Sequence, residues 1–257
     1  MKQVPNFFTL LNLVFGCLSI VFALQTESII IYTDEQFLSS FHIPEKMATA
    51  AVCLFIAAIV DFLDGFVARL FKATSAMGAQ LDSLSDMVSF GVAPSVLLYQ
   101  LLRMSFMREE NGLDVSMAWL LPAFLFAVAA AWRLAKFNLD DSQHYGFKGV
   151  PTPAAGLLIA SFPLILLFGG GLVNINEWLI NKWVLYAVII ILSGLMVSNL
   201  PIMALKFKDF SFKNNIPKWI IIAIAIIAII LLKWLAVPVI FIVYISLSLL
   251  FKNKISS

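Results

Sequence analysis

Charged residues are scarce in this sequence, and that scarcity limits the classes of protein it can belong to. Only 12% of the 257 residues are charged, against about 25% in a soluble domain, while 61% are hydrophobic and the mean hydropathy is +0.97. The composition therefore excludes a soluble globular domain and indicates an integral membrane protein. The net charge of +2 is small, so nothing in the charge balance suggests a nucleic-acid partner.

Cysteine is also scarce, since the chain has only Cys17 and Cys53. Both lie in apolar helical runs, so we expect packing roles and no disulfide framework. The sequence shows no Ser/His or Cys/His arrangement of the kind that supports covalent catalysis. It also has no linker, internal repeat or low-complexity tract. We therefore expect a single integral-membrane domain over residues 1–257, with a core at about 4–201 and additional C-terminal helices at about 217–251.

Long apolar runs, by contrast, are abundant, and eight of them approach the roughly 20 residues that cross a hydrocarbon core. The first run follows a lysine, as in a signal peptide, but it is long for one, so we expect a retained span. The last two runs are separated only weakly, by Lys233 and Pro238, and form either a tight hairpin or one bent element. The expected fold is all-α, a polytopic membrane bundle. The predicted spans are 7–24, 47–71, 76–101, 117–137, 152–170, 182–201, 217–234 and 236–251.

The lysines and arginines are distributed unevenly between the two faces that eight alternating spans create. With the N-terminus in the cytoplasm, 12 of the 17 basic residues lie on the cytoplasmic side. The positive-inside rule therefore predicts that both termini are cytoplasmic. We expect a prokaryotic inner membrane as the location.

Four aspartates interrupt the second and third apolar runs at helical spacing. An ionisable residue at this depth is costly and marks a functional site by default. Because a short turn joins the two helices, they should be antiparallel neighbours whose polar stripes face each other. The stretch reads Asp61-x2-Asp64-Gly65-x2-Ala68-Arg69-x8-Gly78-x3-Asp82-x3-Asp86.

Four converging carboxylates would repel one another unless protons or cations neutralised them. All-oxygen ligands suit Mg²⁺, Mn²⁺ or Ca²⁺, and four carboxylates can hold two ions about 3.5–4 Å apart, as in displacement at phosphorus. Gly65, Ala68 and Gly78 would allow a ligand close to the backbone, although helix packing explains Gly78 equally well. Arg69 can pair with a phosphate or extend toward the interface. A purely structural ion pair is disfavoured, because the stretch offers one basic residue for four acids.

This pattern resembles, without departure, the signature of the CDP-alcohol phosphotransferase family. The resemblance implies a six-helix core, a homodimer, and a membrane enzyme that displaces CMP from a CDP-linked lipid and joins the phosphatidyl group to an alcohol. It implies two divalent cations, Mg²⁺ or Mn²⁺. Asp61, Asp64 and Asp82 would hold one ion, and Asp61, Asp82 and Asp86 the other.

The resemblance also assigns Asp86 as the general base for the acceptor hydroxyl, and it assigns the small residues and Arg69 to the CDP site. At the start of the first span, Asn6, Thr9 and Asn12 can contact the cytosine or ribose, or they can simply form a polar helix start. The residues assigned to CDP binding are Gly65, Ala68, Arg69, Gly78, Asn6 and Thr9.

Basic and proline-rich residues after position 132 bear on the acceptor. Arg133 and Lys148 can bind an acceptor carboxylate, and Thr152 can donate to the substrate, whereas Lys136 is best explained by lipid-headgroup attraction. These segments resemble the branch of the family that uses CDP-diacylglycerol and L-serine. The segments are Pro5-Asn6-x-x-Thr9, Ser89-Phe90-Gly91-Val92-Ala93-Pro94, Arg133-x-x-Lys136-Phe137-Asn138 and Pro151-Thr152-Pro153-Ala154-Ala155.

One departure and two alternatives accompany this interpretation. Lys136 stands where that branch is expected to have arginine, which keeps the charge but not bidentate recognition. Another acceptor, namely glycerol 3-phosphate, inositol phosphate or choline, is the first alternative, although a phosphorylated acceptor would demand a denser basic cluster. A divalent-cation transporter is the second, but the sequence has no second copy of the aspartate motif.

Overall fold

The structure is a computed structural model that describes residues 4–25, 45–71, 75–109, 114–139, 147–169, 175–203 and 216–251. These residues are almost entirely helical. The α-helices are α1 Val4–Leu24, α2 Glu45–Leu70, α3 Ala76–Asp86, α4 Ala93–Phe106, α5 Leu125–Leu139, α6 Thr152–Phe168, α7 Ile175–Leu179, α8 Lys182–Val197, α9 Ile216–Leu232 and α10 Ala236–Leu250. A π-helix at Met87–Val92 joins α3 to α4, and 3₁₀ turns lie at Met117–Trp119, Leu121–Phe124 and Lys233–Leu235. The two short strands β1 Phe147–Lys148 and β2 Pro201–Ile202 pair antiparallel.

All eight predicted spans correspond to helical segments, and the polytopic helical bundle is confirmed. Two of the segments, α6 and α8, are apolar but shorter than a full membrane crossing. The others fall within five stretches that are long and apolar enough to cross a membrane. These stretches are Asn6–Leu24, Lys46–Leu70, Ala76–Phe106, Met117–Leu139 and Lys218–Leu250.

The last of these stretches contains two helices, α9 and α10, which the sequence left as a hairpin or a bent element. The turn between them places Lys233 at φ +49°, a conformation that interrupts a right-handed helix. The two helices then pack against each other, and α10 also packs against α6. The hairpin alternative is therefore the correct one. The break lies at Lys233, while Pro238 lies in the first turn of α10, where proline is tolerated.

The third span is not one uniform α-helix, because the π-helix follows Asp86 directly. α1 lies close against this segment, and a Cβ added to Gly16 would meet the Ser89 Oγ at 2.4 Å. The Ser89 hydroxyl donates to the Asn12 carbonyl at 3.0 Å, and Ser85 Oγ donates to the Thr9 carbonyl at 2.7 Å. A glycine and two hydroxyl groups thus join α1 to the acid-bearing helix.

A short strap, formed by the paired strands β1 and β2, holds the chain that leads into α6. β1 pairs with β2, and the Gly149 N–H donates to the Leu200 carbonyl at 2.8 Å. Gly149 has φ +80°, and a Cβ there would lie 2.4 Å from the Met196 carbonyl oxygen, so only glycine fits this turn without strain. The strap anchors the residues before Thr152 to the end of α8.

Candidate active site

Three of the four motif aspartates converge at one end of the bundle. Asp61 on α2 and Asp82 and Asp86 on α3 each offer a carboxylate oxygen, and these atoms lie within 4.8 Å of one another. The helices do not pair in the way the short turn suggested. Instead, α1 packs against both α2 and the α3–π segment, and the aspartates meet beside it.

Asp64 lies next to this cluster in a different environment. Its carboxylate is buried, and Oδ2 accepts a hydrogen bond from the Thr9 hydroxyl. Oδ1 has no hydrogen-bond partner among the described residues. The charge of Asp64 acts on both Asp61 and Asp82. Asp64 is thus close to the cluster and has one oxygen left for a further ligand.

The four carboxylates are suited to a divalent cation. Asp61 and Asp86 lie within hydrogen-bonding reach of each other, an arrangement that two carboxyl groups adopt only when they share a proton or when a cation lies between them. Buried acids without such a partner would be strongly destabilising. The unpartnered Oδ1 of Asp64 and the all-oxygen donor set fit Mg²⁺ or Mn²⁺. The cluster can therefore hold a metal ion.

Asn12 is a site residue whose role the sequence did not reveal. Its Nδ2 donates to Asp86 Oδ1 at 3.4 Å, and the residue is fully buried on α1. Its spacing with Asn6 and Thr9 predicted either a contact to cytosine or ribose or a polar helix start, and not the hydrogen bond to Asp86. Asn12 orients Asp86 and leaves the second carboxylate oxygen of Asp86 for other contacts.

The small residues of the motif lie in contrasting surroundings. Among the described residues, a Cβ added to Gly65 would meet nothing within 4 Å, so none of the described helices packs against this position. A Cβ on Gly78 would meet Asn6 Oδ1 at 3.2 Å, as expected for helix packing. Arg69 is exposed and its Nε donates to the Gly65 carbonyl at 2.8 Å. Open space with an exposed guanidinium beside it suits a ligand at Gly65 and Ala68 more than at Gly78.

Arg133 connects one other predicted acceptor residue, Thr152, with the aspartates. It is buried on α5 with 7% of its surface exposed, and its Nη1 donates to Thr152 Oγ1 at 3.1 Å. Its charge interacts with that of Asp86. Its Nε has no partner among the described residues. Arg133 is thus a buried cation beside the acids with donor capacity to spare.

The other two basic residues of this region have different environments. Lys148 lies exposed on β1. Lys136 donates to Asn199 Oδ1 at 2.6 Å, so its ammonium group has a partner within the protein. Next to it, Asn138 Nδ2 donates to the Ser83 hydroxyl at 2.9 Å, which ties the end of α5 to α3.

Comparison with known proteins identifies a family and a group of relatives. The family model described as CDP-alcohol phosphatidyltransferase matches residues 2–193. A protein of Methanocaldococcus jannaschii is 38% identical over 144 residues, which are 56% of this chain and 58% of that protein. One from Helicobacter pylori strain J99 is 36% identical over 157 residues, 60% and 54% of the two chains. One from Mycobacterium tuberculosis strain H37Rv is 33% identical over 203 residues, 76% and 60%.

All three relatives carry the name CDP-diacylglycerol–serine O-phosphatidyltransferase. The chain spans 54% to 60% of the length of these curated relatives. The family match, over residues 2–193, includes the aspartate motif, since it extends through both acid-bearing helices.

Proposed function

The chain belongs to the CDP-alcohol phosphatidyltransferase family, and on that premise we propose that it transfers the phosphatidyl group of CDP-diacylglycerol to L-serine. The products are phosphatidylserine and CMP. The names of the relatives support serine as the acceptor. The arrangement of Arg133 beside Asp86 is the observation that carries the proposal for this chain.

Serine fits this arrangement because its carboxylate and its hydroxyl are only a few bonds apart. A guanidinium presents several N–H donors in one plane and matches a carboxylate with two parallel hydrogen bonds. Arg133 donates to Thr152 and keeps Nε free among the described residues. With the serine carboxylate on Arg133, the hydroxyl lies on the side of Asp86. Lys148 is a further cation for that carboxylate, and Thr152 a further hydrogen-bonding group.

Asp86 acts as the general base in this proposal. Asn12 holds one of its oxygens, so the other can accept the proton of the serine hydroxyl as it attacks the phosphorus attached to diacylglycerol. The new bond joins the serine oxygen to that phosphorus, and the bond to the CMP phosphate breaks. The proton remains on Asp86 until water removes it.

Divalent cations held by the aspartate cluster would neutralise the developing phosphate charge. We propose two such sites, with Asp61, Asp64 and Asp82 at one and Asp61, Asp82 and Asp86 at the other. Thr9 orients Asp64 for this role through its hydrogen bond. The proposed CDP site consists of Gly65, Ala68, Arg69, Gly78, Asn6 and Thr9.

The surroundings of the site are proposed from the same premise. We propose a single domain in a prokaryotic inner membrane, with the aspartates and both termini on the cytoplasmic side, where serine and CMP are soluble. A homodimer is proposed on family grounds. Contacts between the C-terminal hairpin and α6 support one domain.

An acceptor panel tests the proposed reaction. The full chain, purified in detergent with CDP-diacylglycerol and Mg²⁺ or Mn²⁺, is offered serine, glycerol 3-phosphate, inositol phosphate or choline, and CMP release is measured. We expect CMP and phosphatidylserine with serine and background CMP with the others. CMP release with a different alcohol would reassign the acceptor. Divalent-cation uptake by proteoliposomes without CMP release would favour a transporter.

Replacing Arg133 with alanine is expected to raise the KM for serine by roughly 30-fold, because a hydrogen bond to a charged group is worth about 2 kcal/mol. The KM for CDP-diacylglycerol should stay unchanged. Arg103→Ala is the matched control, since Arg103 is an exposed arginine near the end of α4. An unchanged KM for serine in a folded Arg133→Ala variant would remove Arg133 from the acceptor site.

A further inference from the structure

The C-terminal hairpin lies beyond residue 193, where the family match ends, yet it reaches the acceptor region. Tyr244 on α10 is buried, and its hydroxyl donates to the Met203 carbonyl at 2.9 Å. The same side chain lies within electrostatic reach of Arg133. A residue outside the family match therefore contacts the surroundings of the candidate acceptor site.

A second α10 residue, Ser248, binds the backbone N–H of Met203. Ser248 Oγ accepts a hydrogen bond from the Met203 N–H at 3.2 Å and donates to the Tyr244 carbonyl at 2.7 Å. Ser248 and Met203 are both buried. Since side chains of one helix satisfy both backbone groups of Met203, α10 determines where this residue lies.

Met203 is connected in turn to the residues around Arg133. It directly follows β2, which pairs with β1, and β1 leads through Gly149 to Thr152. Thr152 Oγ1 accepts the hydrogen bond from Arg133. The hairpin is thus connected to Arg133 through the paired strands, and the Tyr244 and Arg133 side chains also interact electrostatically.

We propose that Tyr244 is a positioning residue that keeps Arg133 directed toward the carboxylate of the acceptor, which makes the C-terminal hairpin part of the acceptor site. The proposal rests on the proposed function. Its physical basis is the connection from α10 to Thr152. The Tyr244 hydroxyl satisfies the buried Met203 carbonyl and so holds β2 in place. β2 pairs with β1, which leads to the Thr152 hydroxyl that accepts from Arg133.

Removing the hydroxyl should redirect Arg133. In Tyr244→Phe, the Met203 carbonyl loses its donor, and a buried carbonyl without a donor is costly. The paired strands then lose one of their anchors, and Thr152 can shift from the position in which it accepts from Arg133. We expect roughly a five-fold higher KM for the acceptor, the size of one ordinary hydrogen bond, with the KM for CDP-diacylglycerol unchanged. Ser248→Ala should shift the same constant in the same direction.

Tyr186→Phe is the matched control. The Tyr186 hydroxyl also donates to a backbone carbonyl, that of Trp119, at 2.6 Å, and this bond lies outside the connection from Met203 to Thr152. The variant also loses a tyrosine hydrogen bond to a backbone carbonyl, so it should leave the KM for the acceptor unchanged. A similar rise in both Tyr→Phe variants would mean a general loss of packing and would overturn the proposal.

The measurement is made with whichever alcohol in the acceptor panel gives CMP with the wild-type chain. If that alcohol is not serine, the proposed function fails, while Tyr244→Phe still decides the role of Tyr244 with the alcohol that is used. An unchanged KM for that acceptor overturns the inference. Equal rises in the KM values of both substrates overturn it too, because a positioning residue of the acceptor pocket acts on one substrate only.

Discussion

Replacing Asp86 with asparagine is expected to lower kcat for CMP release by about 10³-fold, within the 10²–10⁴-fold range that general bases contribute. The amide has nearly the shape of the carboxylate but cannot take a proton from the attacking hydroxyl. An alcohol with a high pKa then attacks without assistance. The affinity for CDP-diacylglycerol depends on other residues, so its KM should change little.

The loss of charge at Asp86 has a second consequence that the experiment must separate from the first. Asp86 belongs to the cluster that can hold a metal ion, so weaker cation binding would also lower the rate. Assays at increasing Mg²⁺ or Mn²⁺ concentration distinguish the two effects. A base that is missing cannot be replaced by more cation, so kcat of Asp86→Asn should stay low at saturation.

Glu109→Gln is the matched control for removing a carboxylate. Glu109 forms an ion pair with Lys182 outside the aspartate cluster, and its conversion to an amide should leave kcat unchanged. If Asp86→Asn kept most of the wild-type kcat at saturating cation, Asp86 would not be the base, and the proton would have to go to another group.

The helices and the acid cluster were predictable from sequence because their signals are local. A span is recognised by the hydropathy of consecutive residues, and all eight predicted spans correspond to helical segments, of which α6 and α8 are shorter than a full crossing. The cost of placing Asp61 and Asp86 in apolar helices depends only on the residues around them in the chain. Their convergence then follows from helical spacing, and three of the four aspartates do meet.

The partners of these acids were not predictable, because they come from distant parts of the chain. Thr9 and Asp64 are 55 positions apart, and Asn12 and Asp86 are 74 apart. In helices that are apolar on every side, periodicity does not indicate which face meets which neighbour. The sequence therefore predicted a direct antiparallel pairing of α2 and α3, and it did not predict that α1 packs against both.

The π-helix and the role of the hairpin could not be predicted from the sequence for the same reason. The π-helix at Met87–Val92 lies where Gly16 lets α1 come close to Ser89, a contact between separate spans. Tyr244 comes within electrostatic reach of Arg133 only because the chain reverses at Lys233. Neither Gly16 nor Tyr244 belongs to a polar pattern that a search along the chain would select.

Replacing Asp82 with asparagine is expected to weaken divalent-cation binding by about 10²–10³-fold, since charges about 4 Å apart interact by roughly 4 kcal/mol at an effective dielectric constant near 20. Mn²⁺ binding to the full chain, followed by electron paramagnetic resonance, measures this without any turnover. Asp114→Asn is the control, because Asp114 is an exposed aspartate outside the cluster. Unchanged Mn²⁺ affinity in Asp82→Asn would mean that the cluster is not the cation site.

Stoichiometry then decides between one ion and two. Asp61 and Asp82 are shared by both proposed sites, whereas Asp64 belongs to one and Asp86 to the other. Asp64→Asn should therefore reduce the number of tightly bound Mn²⁺ ions from two to one, and Asp61→Asn should weaken both. Spin coupling between two neighbouring Mn²⁺ ions should be present in the wild type and absent in Asp64→Asn. If the wild type bound a single ion and Asp64→Asn bound it equally well, Asp64 would serve only as the partner of Thr9, and a one-ion site at Asp61, Asp82 and Asp86 would replace the proposed pair.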